Sequence, residues 1–168
     1  MSRGLSKALI SFHSATPEIS DAMTRAPGTW VGTVAGIEAA LDAGLLVGLN
    51  CVIDRDNVDG LEAHAQMIVD RFAARPNARI HQVIYSHPSS AWDVALYEKK
   101  VVSLEVIRPR LLAASRILLD AGLTVSTGGS CGFPPCVVAD EPRLAMPARR
   151  EEFDTADLSG RVLSLIHI

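Results

Sequence analysis

Three short apolar stretches each end in polar side chains. Ser11, His13 and Ser14 follow the one that begins at Ala8, Asn50 and Asp54 the one that begins at Leu46, and Tyr85, Ser86 and His87 the one that begins at Arg79. In parallel α/β folds reactive groups gather at the carboxyl ends of strands, where loops converge, so one mouth can hold all of them. Strand ends are also polar simply because they meet water, and that reading stays open for each residue taken singly. Cys131 and Cys136 form a C-x4-C pair within GSCGFPPC, where Gly and Pro predict a tight, exposed loop. Two thiols fill only half of a tetrahedral site, so spacing alone leaves metal ligation and inert cysteines both open. Cys51 is expected to point away from Asn50, toward covering helices, and to be inert. His64, on a helix near Leu61, is expected at the surface, and Asp42, Asp120 and the acidic run Glu151, Glu152, Asp154 and Asp157 carry no chemistry.

The elements that position these residues read as strand-helix units. Ala8 to His13 alternates, with Leu9, Ser11 and His13 on one face and Ala8, Ile10 and Phe12 on the other. Thr16 is the expected N-cap of a short helix, with Pro17 at its first position. A longer helix runs to about Ala43, with Val34, Ile37 and Leu41 at helical spacing and Gly44 as its stop. The strand Leu46 to Ile53 is apolar on both faces, as strands of parallel sheets are. Leu61, Ala65, Ile68 and Phe72 mark a helix to about Ala74, and Arg79 to Tyr85 is a third strand. Ser86 to Lys100 reads as a long loop, the next helix as Pro109 to Gly122, and Leu123 to Ser126 as a fourth strand. Leu41-Asp42-Ala43-Gly44-Leu45 recurs as Leu119-Asp120-Ala121-Gly122-Leu123, each time at a helix-to-strand join. The fold class is therefore α/β, with parallel strands joined by right-handed crossover helices in an open sheet or a piece of an eight-unit barrel.

With 168 residues, 48% of them apolar and 21% charged, the chain can bury a core. Sixteen Lys and Arg against nineteen Asp and Glu give a net charge of -3, and no cationic cluster points to nucleic acid. No apolar run approaches the roughly 20 residues that span a bilayer, so no membrane partner is expected and the cytoplasm is the expected location. Three cysteines do not make a disulfide framework. Residues 163–168 (LSLIHI) match the in-frame translation of a transposon-end sequencing adapter and are expected to be a library scar. The expected division is a partial barrel over 1–126, a Cys/Pro/Gly loop and extension over 127–162, and the scar.

The order and spacing of three segments resemble the radical S-adenosylmethionine (SAM) enzyme superfamily. Ser11-Phe12-His13-Ser14 is similar to the short polar motif that ends the fourth barrel strand of such cores. The run from Arg25-Ala26-Pro27-Gly28-Thr29-Trp30 to Gly44 is similar to the helix that follows, and Val47-Gly48-Leu49-Asn50-Cys51-Val52-Ile53 with Asn57 beyond is similar to the fifth strand. The resemblance covers roughly Leu5 to Val138. It implies a partial (β/α) TIM-like barrel of the radical SAM type and reductive cleavage of SAM to a 5'-deoxyadenosyl radical that abstracts a hydrogen from a substrate. The implied partners are SAM, a small-molecule or peptide substrate and an electron donor. Ser11 and His13 would contact SAM, Asn50 would line its pocket, and Ile84 or Tyr85 would lie near the adenine. A Ser or Asn suits ribose hydroxyls, since each donates and accepts.

The CxxxCxxC loop that holds the family's [4Fe-4S] cluster is absent from this sequence, as is the GGE-like segment of an earlier strand. The expectation is a fragment that lacks the cluster-binding half and is inactive alone. Cys136 resembles the first cysteine of the auxiliary [4Fe-4S] region of peptide-modifying maturases, with Cys131 beside it and further ligands expected after Arg161. The alternatives are a cluster-free barrel lyase or aldolase fragment, or a non-catalytic module in which Cys131 and Cys136 bind zinc.

Overall fold

Alternation of apolar residues makes the strands, and their order in the sheet decides where the helices go. The computed structural model describes residues 4–89, 93–127, 132–144 and the backbone of 163–165. In chain order these form β1 (Lys7–Ser11), α1 (Pro17–Thr24), α2 (Thr29–Asp42), β2 (Leu46–Val52), α3 (Leu61–Met67) continued by a π-helical turn over Ile68–Ala73, β3 (Ile80–Ser86), α4 (Val94–Lys100), α5 (Leu104–Asp120), β4 (Val125–Ser126) and β5 (Leu163–Leu165). The sheet order is β4-β3-β2-β1-β5, and every pair is parallel. From β1 to β4 the strands add in one direction. Right-handed crossovers between these four strands carry their helices to one side of the sheet, as in a (β/α) barrel, while β5 lies on the other side of β1.

The packing follows. Ile10, Phe12, Val47, Leu49, Cys51, Val83 and Tyr85 are buried with Val34, Ile37 and Leu41 of α2, Leu61, Ala65, Ile68 and Phe72 of the α3 segment, and Ile107, Leu111 and Leu118 of α5. The opposite face carries Leu9, Ser11, Gly48, Asn50, Val52, Gln82, Ile84, Ser86 and Ser126, by alternation and register. The sheet is open, with its core behind it.

Both copies of LDAGL end their helices the same way. Gly44 and Gly122 take left-handed φ of 75° and 80°; Gly44 N–H donates to Leu41 O and Leu45 N–H to Ala40 O, and Gly122 and Leu123 repeat the pattern with Leu119 and Leu118. An L side chain at such φ is strained, and glycine is not.

Two expectations differ. The segment Ser86 to Lys100 contains α4, capped by Asp93, whose Oδ1 accepts from Leu96 N–H at 2.8 Å. Helix α5 starts at Leu104 rather than Pro109, because the apolar stripe begins upstream with Leu104 and Ile107. Pro109 lies inside it, where the missing N–H leaves only the carbonyl of exposed Glu105 without a helical partner. Thr16 stands at the N-cap of α1 but its side chain makes no cap bond; Ser14 Oγ accepts the Thr16 N–H instead, at 3.0 Å. Residues 163–165 lie beside β1 as an edge strand with Ala8 opposite Leu163 and Ile10 opposite Leu165. That pairing gives partners to backbone groups which β1 would otherwise leave open at the sheet edge.

Candidate functional site

Parallel register brings strand-end side chains into rows. Ser11 lies opposite Asn50, Asn50 opposite Ile84, and Ile84 opposite Ser126, all on the face that none of the described helices of the core covers. Each of the four is half-buried. One step further along β3, Ser86 Oγ donates to Asn50 Oδ1 at 2.7 Å. The row thus offers hydroxyl, amide and aliphatic groups side by side.

His13 lies beyond the end of β1 and is tied to the end of β2: its Nδ1 accepts the Val52 N–H at 3.2 Å. Asn57, 1% exposed, clamps the same two strand ends. Its Nδ2 donates to His13 O at 2.8 Å and Val52 O at 2.9 Å, and its Oδ1 accepts the Asp54 N–H at 2.9 Å. Asp54 is buried, and burial raises its carboxyl above the ordinary range against the opposing pull of the Asp56 N–H and Lys100. Lys100 Nζ, at the end of α4, is 4.0 Å from Asp54 Oδ2 and pairs with Asp56. Ser14 is buried in the loop after β1, where its carbonyl accepts from Trp30 Nε1 at 3.0 Å.

Tyr85 does not join the row. It is fully buried on the helix side, with its hydroxyl 3.3 Å from His64 Nδ1 and desolvation holding its pKa well above the ordinary value. The adjacent Ile84 faces the row, so alternation separates the two residues that the family resemblance offered as neighbours of adenine. Cys51 is likewise buried behind the sheet, its thiol pushed up chiefly by desolvation.

His64 corrects the expectation of a surface residue. It is 1% exposed, because it lies three residues after Leu61 on the inward stripe of α3. Its Nε2–H donates to Phe12 O at 2.9 Å, its ring stacks on Phe12 at 5.0 Å, and desolvation brings its pKa down to about 4. Asp42 and Asp120 meet Arg75 and Arg143, surface pairs that leave them no chemical role.

His87 follows β3 and packs edge-on to Phe133 at 5.8 Å, while Phe133 N–H donates to Thr127 O at 2.7 Å just after β4. The segment then turns through Pro135–Val137, where Cys136 is exposed, and runs along α5 through the Arg108–Asp140 and Arg116–Glu141 pairs. Cys131 and the acidic run 151–157 lie outside the described residues. Among the described residues no group of three or more His, Cys, Asp or Glu converges as metal ligands do, and no helix is long and apolar enough to cross a membrane.

Sequence reasoning missed Asn57 as a clamp and Ser86 as a partner of Asn50. Both stand in stretches the sequence marks as strand ends, but cross-strand register cannot be read from one chain.

No protein-family model matches the chain, and no curated protein does. Among solved structures, a domain of pyruvate-formate lyase-activating enzyme from Bacteroides vulgatus superposes with a TM-score of 0.51 at 16% identity, over 72% of this chain. The chain spans 66% of that domain's length. What the two have in common at this identity is the fold: a parallel α/β sheet with crossover helices.

Proposed function

We propose that this chain is the later part of a radical SAM enzyme core and that the helix-free mouth holds S-adenosylmethionine. The observation that carries the reading is the in-register row Ser11–Asn50–Ile84 at the carboxyl ends of parallel strands added in one direction. The sequence resemblance and the fold shared with an activating-enzyme domain of the radical SAM kind support it. Hydroxyl and amide groups beside an aliphatic one suit a ligand with both oxygen-rich and flat apolar parts, so the donor set fits SAM. In this reading Ser11 and Asn50 bond oxygen atoms, Ile84 packs the adenine, and His13 lines the mouth beside them. Tyr85 acts only from behind the sheet.

Bound SAM supplies, on reductive cleavage, the 5'-deoxyadenosyl radical that takes a hydrogen from substrate. Among the described residues none fits the catalytic [4Fe-4S] cluster: Cys51 is buried behind the sheet with its thiol held protonated, and Cys136 lies beyond β4, away from the row. No step through a cluster is assigned to this chain, whose work is to bind and orient. Cluster ligands would come from outside these residues, as would the electron donor's site. A peptide substrate and an auxiliary cluster at Cys136 and Cys131 are the finer form of the proposal.

Equilibrium dialysis of the purified chain with labelled SAM tests it. Saturable binding is expected, weakened about 3- to 10-fold by Ser11→Ala or by Asn50→Ala, the loss of one hydrogen bond each. Absence of saturable binding, or binding unchanged in both variants, would overturn it.

A further inference from the structure

An asparagine amide has an accepting end and a donating end, and whichever end is occupied by the protein decides what the other can recognise. In Asn50 the accepting end is taken, by Ser86 Oγ–H at 2.7 Å. Its Nδ2 has no hydrogen-bond partner among the described residues, and neither does Ser11 Oγ opposite it in the register. Ser86 itself sits one alternation beyond Ile84, held on β3 by the parallel pairing of Val52 with Ser86 and by the Ile53 N–H to Ser86 O bond at 2.8 Å. Both partners are anchored on central strands rather than loops, so the amide is oriented by the sheet.

We propose that Ser86 is a positioning residue: by occupying Asn50 Oδ1 it turns the amide so that only N–H donors face the mouth, which selects an oxygen acceptor as the ligand group bound there. This rests on the reading of the mouth as a SAM site, where the acceptors are carboxylate and ribose oxygens. A ligand group that only donates finds no partner at Asn50.

Two measurements on the full chain separate the parts. The side-chain carbonyl carbon of Asn50, observed by NMR in isotopically labelled protein, is expected to move upfield in Ser86→Ala and to return in Ser86→Thr, which keeps the hydroxyl. SAM affinity by equilibrium dialysis is expected to fall about 3- to 10-fold in Ser86→Ala, to recover in Ser86→Thr, and not to respond to Ser86→Ala when Asn50 is already Ala. A purely structural role for Ser86 would lower affinity equally in both backgrounds and would overturn the inference. An Asn50 carbonyl that ignores Ser86→Ala overturns it whether or not SAM binds. The expected carbonyl shifts in a protein that takes up no SAM would instead overturn the SAM reading, and with it the ligand named here.

Discussion

At the scale of residues, the mouth's framework depends on Asn57, which is buried and engaged at both ends of its amide. Asn57 holds three backbone groups, the carbonyls of His13 and Val52 and the N–H of Asp54. Asn57→Ala leaves all three without their partner, and a loss of about 2–4 kcal/mol in urea unfolding is expected. Behind the sheet, His64 must stay neutral. Its pKa of about 4 in the folded chain lies below the ordinary 6.5, so the unfolded chain takes up the proton first. Its contribution is full above pH 6.5 and is lost as the pH falls toward 4, about 3 kcal/mol in all. Asp54, whose carboxyl is raised, acts in the opposite sense as acid is added. The measurement is therefore the difference between wild type and His64→Gln, whose stability-against-pH curves are expected to converge between pH 6.5 and 4. Parallel curves would contradict a neutral buried His64. His64 was misread from the sequence because polarity outweighed position: a histidine three residues after an inward leucine is carried into the core, where Phe12 O gives it a partner. Cys51 was legible, since strand alternation alone sets it opposite Asn50.

At the scale of elements, the two LDAGL joins are equivalent tests of backbone strain. Nothing lies within 4 Å of where a Cβ would stand at Gly44 or Gly122, so substitution costs only the left-handed conformation. Gly44→Ala and Gly122→Ala are each expected to lose about 1 kcal/mol, measured by denaturant midpoint, with Asn less costly at either position. In α5, Ser115 is fully buried and its hydroxyl has no partner among the described residues. Ser115→Ala is expected to hold or raise the melting temperature, because an unpaired buried hydroxyl costs more than it returns. Strand positions and the helix stops were legible because alternation and glycine are local signals. The start of α5 was not, because Pro109 reads as a boundary when the residues before it are not credited to the same stripe. The helix α4 was missed for a related reason: none of its residues is buried, so no apolar periodicity announces it.

At the scale of the molecule, one-directional strand order matters most. It leaves a polar-edged face free of the core helices and sends the strands' fully buried apolar side chains, such as Leu49, Cys51, Val83 and Tyr85, behind it, and this much was legible from strand-helix repetition and both-face hydrophobicity in β2. What repetition could not give was the pairing of residues across strands, which made the row from Ser11 to Ser126, nor the edge partner of β1. The most direct test is a two-dimensional ¹H–¹⁵N NMR titration of the chain with SAM. Shifts are expected to concentrate on residues 11–14, 50–54 and 84–87, with the amide pair of Asn50 among the largest, while α2, α3 and α5 stay still. No saturable shift, or shifts centred on the helix-covered side of the sheet, would contradict a SAM site in the mouth.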